Sequence, residues 1–170
     1  MAVPKFLQNI AGQITEVVAG ITTSAGAGDA GKLPALNSAG QLDQSFMPTG
    51  IGADTQSIIA SESLTAGDLI NIWNNAGVAN VRKADATTIG KEANGFVLSS
   101  VTALSNALVY FEGNNTAVTG RTPGKQFLST TAGSTTTVAP STSGNAVQAV
   151  GFATSATNIN FQSSPSVVLA

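Results

Sequence analysis

Between Leu69 and Glu112, four short runs rich in β-branched and aromatic residues follow one another, each bounded by Gly, Asn, Asp or Ser. They are Leu69-Ile70-Asn71-Ile72-Trp73, Val78-Ala79-Asn80-Val81-Arg82-Lys83, Gly95-Phe96-Val97-Leu98-Ser99 and Ala107-Leu108-Val109-Tyr110-Phe111-Glu112. This is the pattern of consecutive strands. In the first run Ile70 and Ile72 alternate with Asn71 and Trp73, the two-residue period of a sheet with a buried face. Nowhere else are large apolar side chains so closely spaced, so the core starts here. Asn74-Asn75-Ala76-Gly77 reads as the turn between the first two runs.

The pattern continues downstream. Ser57-Ile58-Ile59-Ala60 reads as a strand ahead of the four runs. Thr122-Pro123-Gly124-Lys125 suits a type II turn, with Pro setting φ and Gly accepting positive φ. It leads into Gln126-Phe127-Leu128. Val147 to Ala153 and Asn158 to Gln162 read as a last hairpin. Val167 to Ala170 reads as an edge strand or an apolar peg. Short strands with turns every eight to twelve residues indicate a sandwich or a barrel. The expected fold is all-β: a compact antiparallel β-sandwich or barrel over 56–170, preceded over 1–55 by an extended N-terminal arm with one short helix.

The helix is expected over 3–23, where Leu7, Ile10, Ile14, Val17 and Ile21 are spaced three, four, three, four. That is a heptad seam, and β-branched residues at both seam positions favour three or more strands. Gly12 and Gly20 each oppose it by about 1 kcal/mol. A segment this short needs copies of itself, or a host surface, to stay helical. The alternative is an amphipathic helix lying on its own sheet. The next segment, Thr22 to Gly31, is linker-like. It contains a G-x-G-x-x-G spacing at Gly26, Gly28 and Gly31, followed by Lys32. A phosphate loop needs a strand before it and a helix after it. Here Leu33-Pro34 follows, so nucleotide binding is not expected. Beyond lie Leu33, Leu36, Leu42, Phe46 and Met47, isolated apolar residues between Pro34 and Pro48. They read as pegs on an arm that packs on another surface.

Composition narrows the function. Charged residues make up 9% of the chain, against roughly 25% in typical soluble domains. Net charge is −2, which defends a lone monomer poorly against association. A covered surface fits better. No Cys and no His are present, removing disulfides, thiolate chemistry and the commonest general base and metal ligand. Seven basic residues against nine acidic ones give no nucleic-acid footprint. No apolar run approaches the ~20 residues of a membrane span, and the N-terminus lacks a signal-peptide plan. For hydrolysis the candidates are carboxylates only: Asp54, Glu62 and Asp68, or Asp85 and Glu92. Turn chemistry explains them more simply. No enzyme, cofactor or metal site is expected.

The order of several motifs resembles a known family. Leu64-Thr65-Ala66-Gly67-Asp68-Leu69, Val81-Arg82-Lys83-Ala84-Asp85-Ala86, Ala93-Asn94-Gly95-Phe96-Val97, Gly120 to Ser129 and Val147 to Ala153 look like a small β domain of tailed-bacteriophage capsid decoration, cement and head-fibre proteins. Gly31 to Asn37 and Leu42 to Pro48 resemble the lead-in segments of those proteins. The resemblance covers roughly residues 31–162. It implies a virion location on the capsid exterior after assembly in the host cytoplasm, a homotrimeric or otherwise symmetric assembly, and the major capsid protein as partner. The expected interface residues are Leu7, Ile10, Ile14, Val17, Ile21, Leu33, Leu36, Leu42, Phe46 and Met47. The alternative is a head- or tail-fibre protein that binds host-surface glycan, with Trp73 and Tyr110 as stacking residues. Exposure of Trp73 discriminates between the two.

Overall fold

The computed structural model describes residues 5–18, 20–47 and 53–170. The fold is all-β, and the chain divides into two compact units, Met1–Gly52 and Ala53–Ala170.

The first unit opens with a β-hairpin, β1 (Lys5–Ile10) and β2 (Gln13–Val18). Over the described residues this corrects the helix expected over 3–23, of which Val3, Pro4 and Ala19 lie outside them. No heptad seam forms. Leu7 stands opposite Glu16 and Ile14 opposite Asn9, while Ile10 faces Gln13 and Val17 faces Phe6 in the register. Ile21 lies outside the hairpin, in an isolated bridge with Pro34. The physical reason lies at the turn. Ala11 and Gly12 both have positive φ, 52° and 87°, the signature of a two-residue type I′ turn. The Asn9 side chain accepts a hydrogen bond from the Gly12 N–H at 3.0 Å. The second half, Ile14-Thr15-Glu16-Val17-Val18, is rich in β-branched residues, which favour strand over helix.

The second unit contains a closed five-stranded barrel. Its strands are β3 (Thr55–Ala60), β4 (Leu69–Asn75), β5 (Val78–Lys83), β6 (Gly95–Val97) and β7 (Asn106–Tyr110), in the order β3-β5-β4-β6-β7. Pairing is antiparallel except between β3 and β5, which qualifies the expectation of a purely antiparallel domain. The exception is obligatory: five strands in a ring cannot all alternate in direction. Ile58, Ala60, Ile70, Val81, Val97, Ala107 and Val109 fill the interior.

A second, open sheet follows, built from β8 (Gly113–Asn115), β9 (Gly124–Leu128), β10 (Thr135–Thr136), β12 (Ala149–Ser155) and β13 (Asn158–Phe161), in the order β10-β9-β12-β13-β8. β11 (Ala146–Val147) pairs with β14 (Val167–Val168), so the C-terminal valines form a short strand. Leu69, Phe96 and the partly buried Tyr110 from the barrel pack with Leu128, Val150 and Phe161 from the second sheet in a second core. β6 is therefore buried on both faces, which explains why Phe96 and Val97 are both large and apolar without alternation, with the half-buried Leu98 just beyond the strand. The charged loop after β5 takes part too. Its Ala84, Ala86 and Ala93 are fully buried in this core.

Amide side chains complete the packing. Gln148, nearly fully buried, accepts from the Ala93 N–H at 2.8 Å and donates to the Ala93 and Ser164 carbonyls at 2.9 and 3.1 Å. Asn115 donates to the Gly67 carbonyl at 2.9 Å. In a chain with few charges, these neutral groups satisfy the buried backbone.

Candidate interaction surfaces

Among its described residues, the first unit buries none. Beyond the hairpin it is a succession of turns held by short polar side chains. Ile21 donates its N–H to the Leu33 carbonyl at 2.9 Å, and Ala35 donates to the Ile21 carbonyl at 2.8 Å, closing residues 21–35 into a loop. Inside that loop Ala27–Asp29 makes one 3-10 turn. Asp29 accepts from the Ala25 N–H and pairs with Lys32, both at 2.6 Å. The glycine-rich stretch thus winds around a carboxylate, and its one lysine is committed to that carboxylate. Asn37 accepts from the Ala39 and Gln41 N–H groups at 2.9 and 3.0 Å. Asp43 accepts from the Ser45 N–H at 2.9 Å and caps a second 3-10 turn, Gln44–Phe46.

On this frame the arm residues project outward. Leu33, Leu36, Leu42 and Met47 are exposed, and Ile21 and Phe46 are half-buried. On the hairpin, Leu7 and Ile14 are exposed as well. Ile10 and Val17 occupy the alternate register positions of the hairpin, so strand pairing divides the five seam residues.

The Asp29 carboxyl is held below the usual carboxylate range, chiefly by its hydrogen bond to Lys32 and then by the Ala25 N–H. Asp43 is lowered by the hydrogen bonds it accepts from Ser45. A depressed carboxylate stabilises the fold above its unfolded pKa, and that contribution fades as pH falls through the folded value. The two turns are therefore expected to loosen together on acidification below the ordinary aspartate range. Amide exchange of Ala25 and Ser45, followed from neutral to acid pH, checks this.

In the second unit Trp73 is half-buried. Its indole N–H donates to the Ser61 hydroxyl at 3.2 Å, and the Arg82 guanidinium lies over the ring at 5.1 Å. Arg82 is itself fixed by the Asn71 side chain at 2.9 Å and the Gly90 carbonyl at 3.0 Å. One face of the indole is thus occupied by the protein. Tyr110 stacks on Phe96 with ring centroids 5.3 Å apart, as part of the inter-sheet core.

The carboxylates serve turns. Asp68 accepts from the Thr65 N–H at 2.8 Å and pairs with Lys83 at 3.1 Å. Glu62 accepts from the Lys83 N–H at 2.6 Å, so the structure gathers Glu62 and Asp68 around Lys83. Asp85 accepts from the N–H and hydroxyl of Thr87, and Glu92 from the Gly90 N–H. Among the described residues no three acidic groups converge as a metal site would require, and no helix is long and apolar enough to cross a membrane.

One exposed feature has no clear signature in the sequence, the outer face of the second sheet. A cross-strand row runs Lys125, Phe152, Asn160, Asn114 across β9, β12, β13 and β8, and all four are exposed. The signal was a single displaced residue in the strand alternation, which sequence does not reveal before the pairing is known.

No protein-family model, no curated protein and no solved structure matches the chain.

Proposed function

We propose that this chain is a structural, non-catalytic protein of a tailed-phage virion. It decorates and cements the capsid exterior by binding the major capsid protein as a symmetric homo-oligomer, with three copies the expected number. One observation carries the reading: the first unit buries none of its described residues yet presents Leu33, Leu36, Leu42 and Met47 to solvent, whereas the second unit has hydrophobic cores of its own. Such a unit gains its apolar burial on another surface. Burying a Leu or Met side chain fully is worth about 1.5–3 kcal/mol. Several pegs per copy, repeated by symmetry, hold neighbouring subunits without chemistry. The low charge and the motif resemblance over 31–162 support the same reading.

The test is rebinding of the full chain to phage heads stripped of their decoration, read by co-sedimentation. Wild type is expected to bind, and Leu33→Asp/Leu36→Asp/Leu42→Asp to lose at least a hundredfold in affinity. The unfolding midpoint of the second unit should stay put, because exposed substitutions usually change stability by within about 0.5 kcal/mol. Unchanged rebinding by the triple variant, or none by wild type, overturns the proposal.

A further inference from the structure

We infer that the outer face of the second sheet, centred on Phe152, is a binding site for an acidic oligosaccharide, a chain of sugars bearing carboxylates. Phe152 is 56% exposed in the middle of a strand, between two exposed polar neighbours, Lys125 on β9 and Asn160 on β13. Its outward direction is built in. β12 pairs Ala149 with Phe127 and then Gly151 with Gln126, so Val150 is an extra residue, a β-bulge. Unbroken alternation from Ala149, with Val150 itself paired in the ladder, would turn Phe152 to the inward face; the one-residue slip turns it outward, opposite Lys125. Bulges commonly re-aim a side chain near a functional site.

The rest of the row supplies polar contacts. Asn160 donates to the Asn114 side-chain carbonyl at 3.4 Å. That leaves the Asn114 amide as a donor and the Asn160 carbonyl as an acceptor at the surface. Lys125 holds its ammonium 5.1 Å from the Phe127 ring centroid, and among the described residues no carboxylate pairs with it. The row crosses three interstrand spacings, about 14 Å, the length of a short oligosaccharide.

Each feature matches that ligand. The negative ring face of Phe152 receives the C–H face of a sugar ring. The two amides offer a donor and an acceptor to hydroxyl groups. The unpaired ammonium receives a carboxylate in a charge-assisted bond. A nucleic-acid strand would need a basic track as well as aromatic platforms, and this row has one cation. The inference stands apart from the capsid reading, which uses the first unit.

The experiment titrates the full chain with oligogalacturonate and with its fully methyl-esterified, uncharged form, by calorimetry. Wild type is expected to bind the acidic form at least tenfold more tightly. Phe152→Ala should weaken both by tenfold or more, and Lys125→Gln should abolish the preference while keeping the weaker binding. Thr119→Ala, an exposed control in the connection between β8 and β9 and outside the row, should change neither. Absence of binding to both forms, or equal binding by Phe152→Ala, overturns the inference. So does a drop in the sedimenting mass of Phe152→Ala, which would make the face a contact between copies. Phe152→Ala should rebind stripped heads as wild type does, so the two proposals fail separately.

Discussion

Phe96→Ala is expected to lower the unfolding free energy of the second unit by about 4 kcal/mol, within the 3–5 kcal/mol typical of a buried Phe truncation. Phe96 is 1% exposed, on a strand with the barrel on one side and the second sheet on the other. Its ring stacks on Tyr110 at 5.3 Å and meets the edge of Phe161 at 5.5 Å. Both sheets therefore meet on this one ring. The unit has few aromatics with which to refill the cavity. Since a domain of this size is stable by about 5–15 kcal/mol, the loss is a large fraction of the whole. Urea unfolding should show the midpoint fall with little change in slope. A double-mutant cycle with Phe161→Ala should return a coupling of about 0.5–1.5 kcal/mol. A loss below about 1 kcal/mol would mean that the sheets are held together elsewhere.

The same residue shows how far the sequence could be read. The stretch from Leu69 to Glu112 was recognisable because its strands are long on Val, Ile and Phe. It supplies four of the five barrel strands, and all-β architecture follows. What the pattern could not say was why some runs alternate and others do not. Burial on both faces erases alternation at Phe96-Val97, and only the second sheet supplies the second face. The alanines at 84, 86 and 93 were equally silent, since a small side chain carries no periodic signal, yet they seal the inter-sheet core.

The N-terminal hairpin is hidden in the sequence for a different reason. Spacings of three and four at Leu7, Ile10, Ile14, Val17 and Ile21 fit a heptad, but the turn chemistry contradicted it. Asn9-Ile10-Ala11-Gly12 repeats the arrangement of Asn74-Asn75-Ala76-Gly77. In both, the Asn side chain accepts from the Gly N–H three residues on, at 3.0 and 2.7 Å. In both, the Ala and Gly take positive φ. The second copy reads as a turn because clear strands flank it; at the first, the three-and-four apolar spacing masks the same signal. For the candidate sites, the exposed pegs of the arm were visible as isolated apolar residues between prolines. Phe152 was not, because a bulge decides which way it points.

That bulge carries the other large expected effect. Gly151→Ala should cost more than about 4 kcal/mol, in the range reserved for changes with a definite steric cause. Gly151 has φ of 122°, and a Cβ there would lie 2.0 Å from the Asn160 carbonyl oxygen and 3.1 Å from the Gln162 N. Those atoms are backbone, and Gly151 stands opposite Phe161 in the pairing of β12 with β13. The neighbour cannot yield without parting the central strand β12 from β13. Gly144→Ala separates the causes. Its φ is 84° with nothing within 4 Å of the added carbon, so it bears only the backbone strain of about 1–2 kcal/mol. Thermal melts of the full chain should place Gly144→Ala a few degrees below wild type and leave Gly151→Ala without a cooperative transition. Equal melting of the two variants would show that β12 and β13 tolerate more separation than their register implies. In that case the direction of Phe152 would not be fixed by the bulge, and its exposure would need another cause.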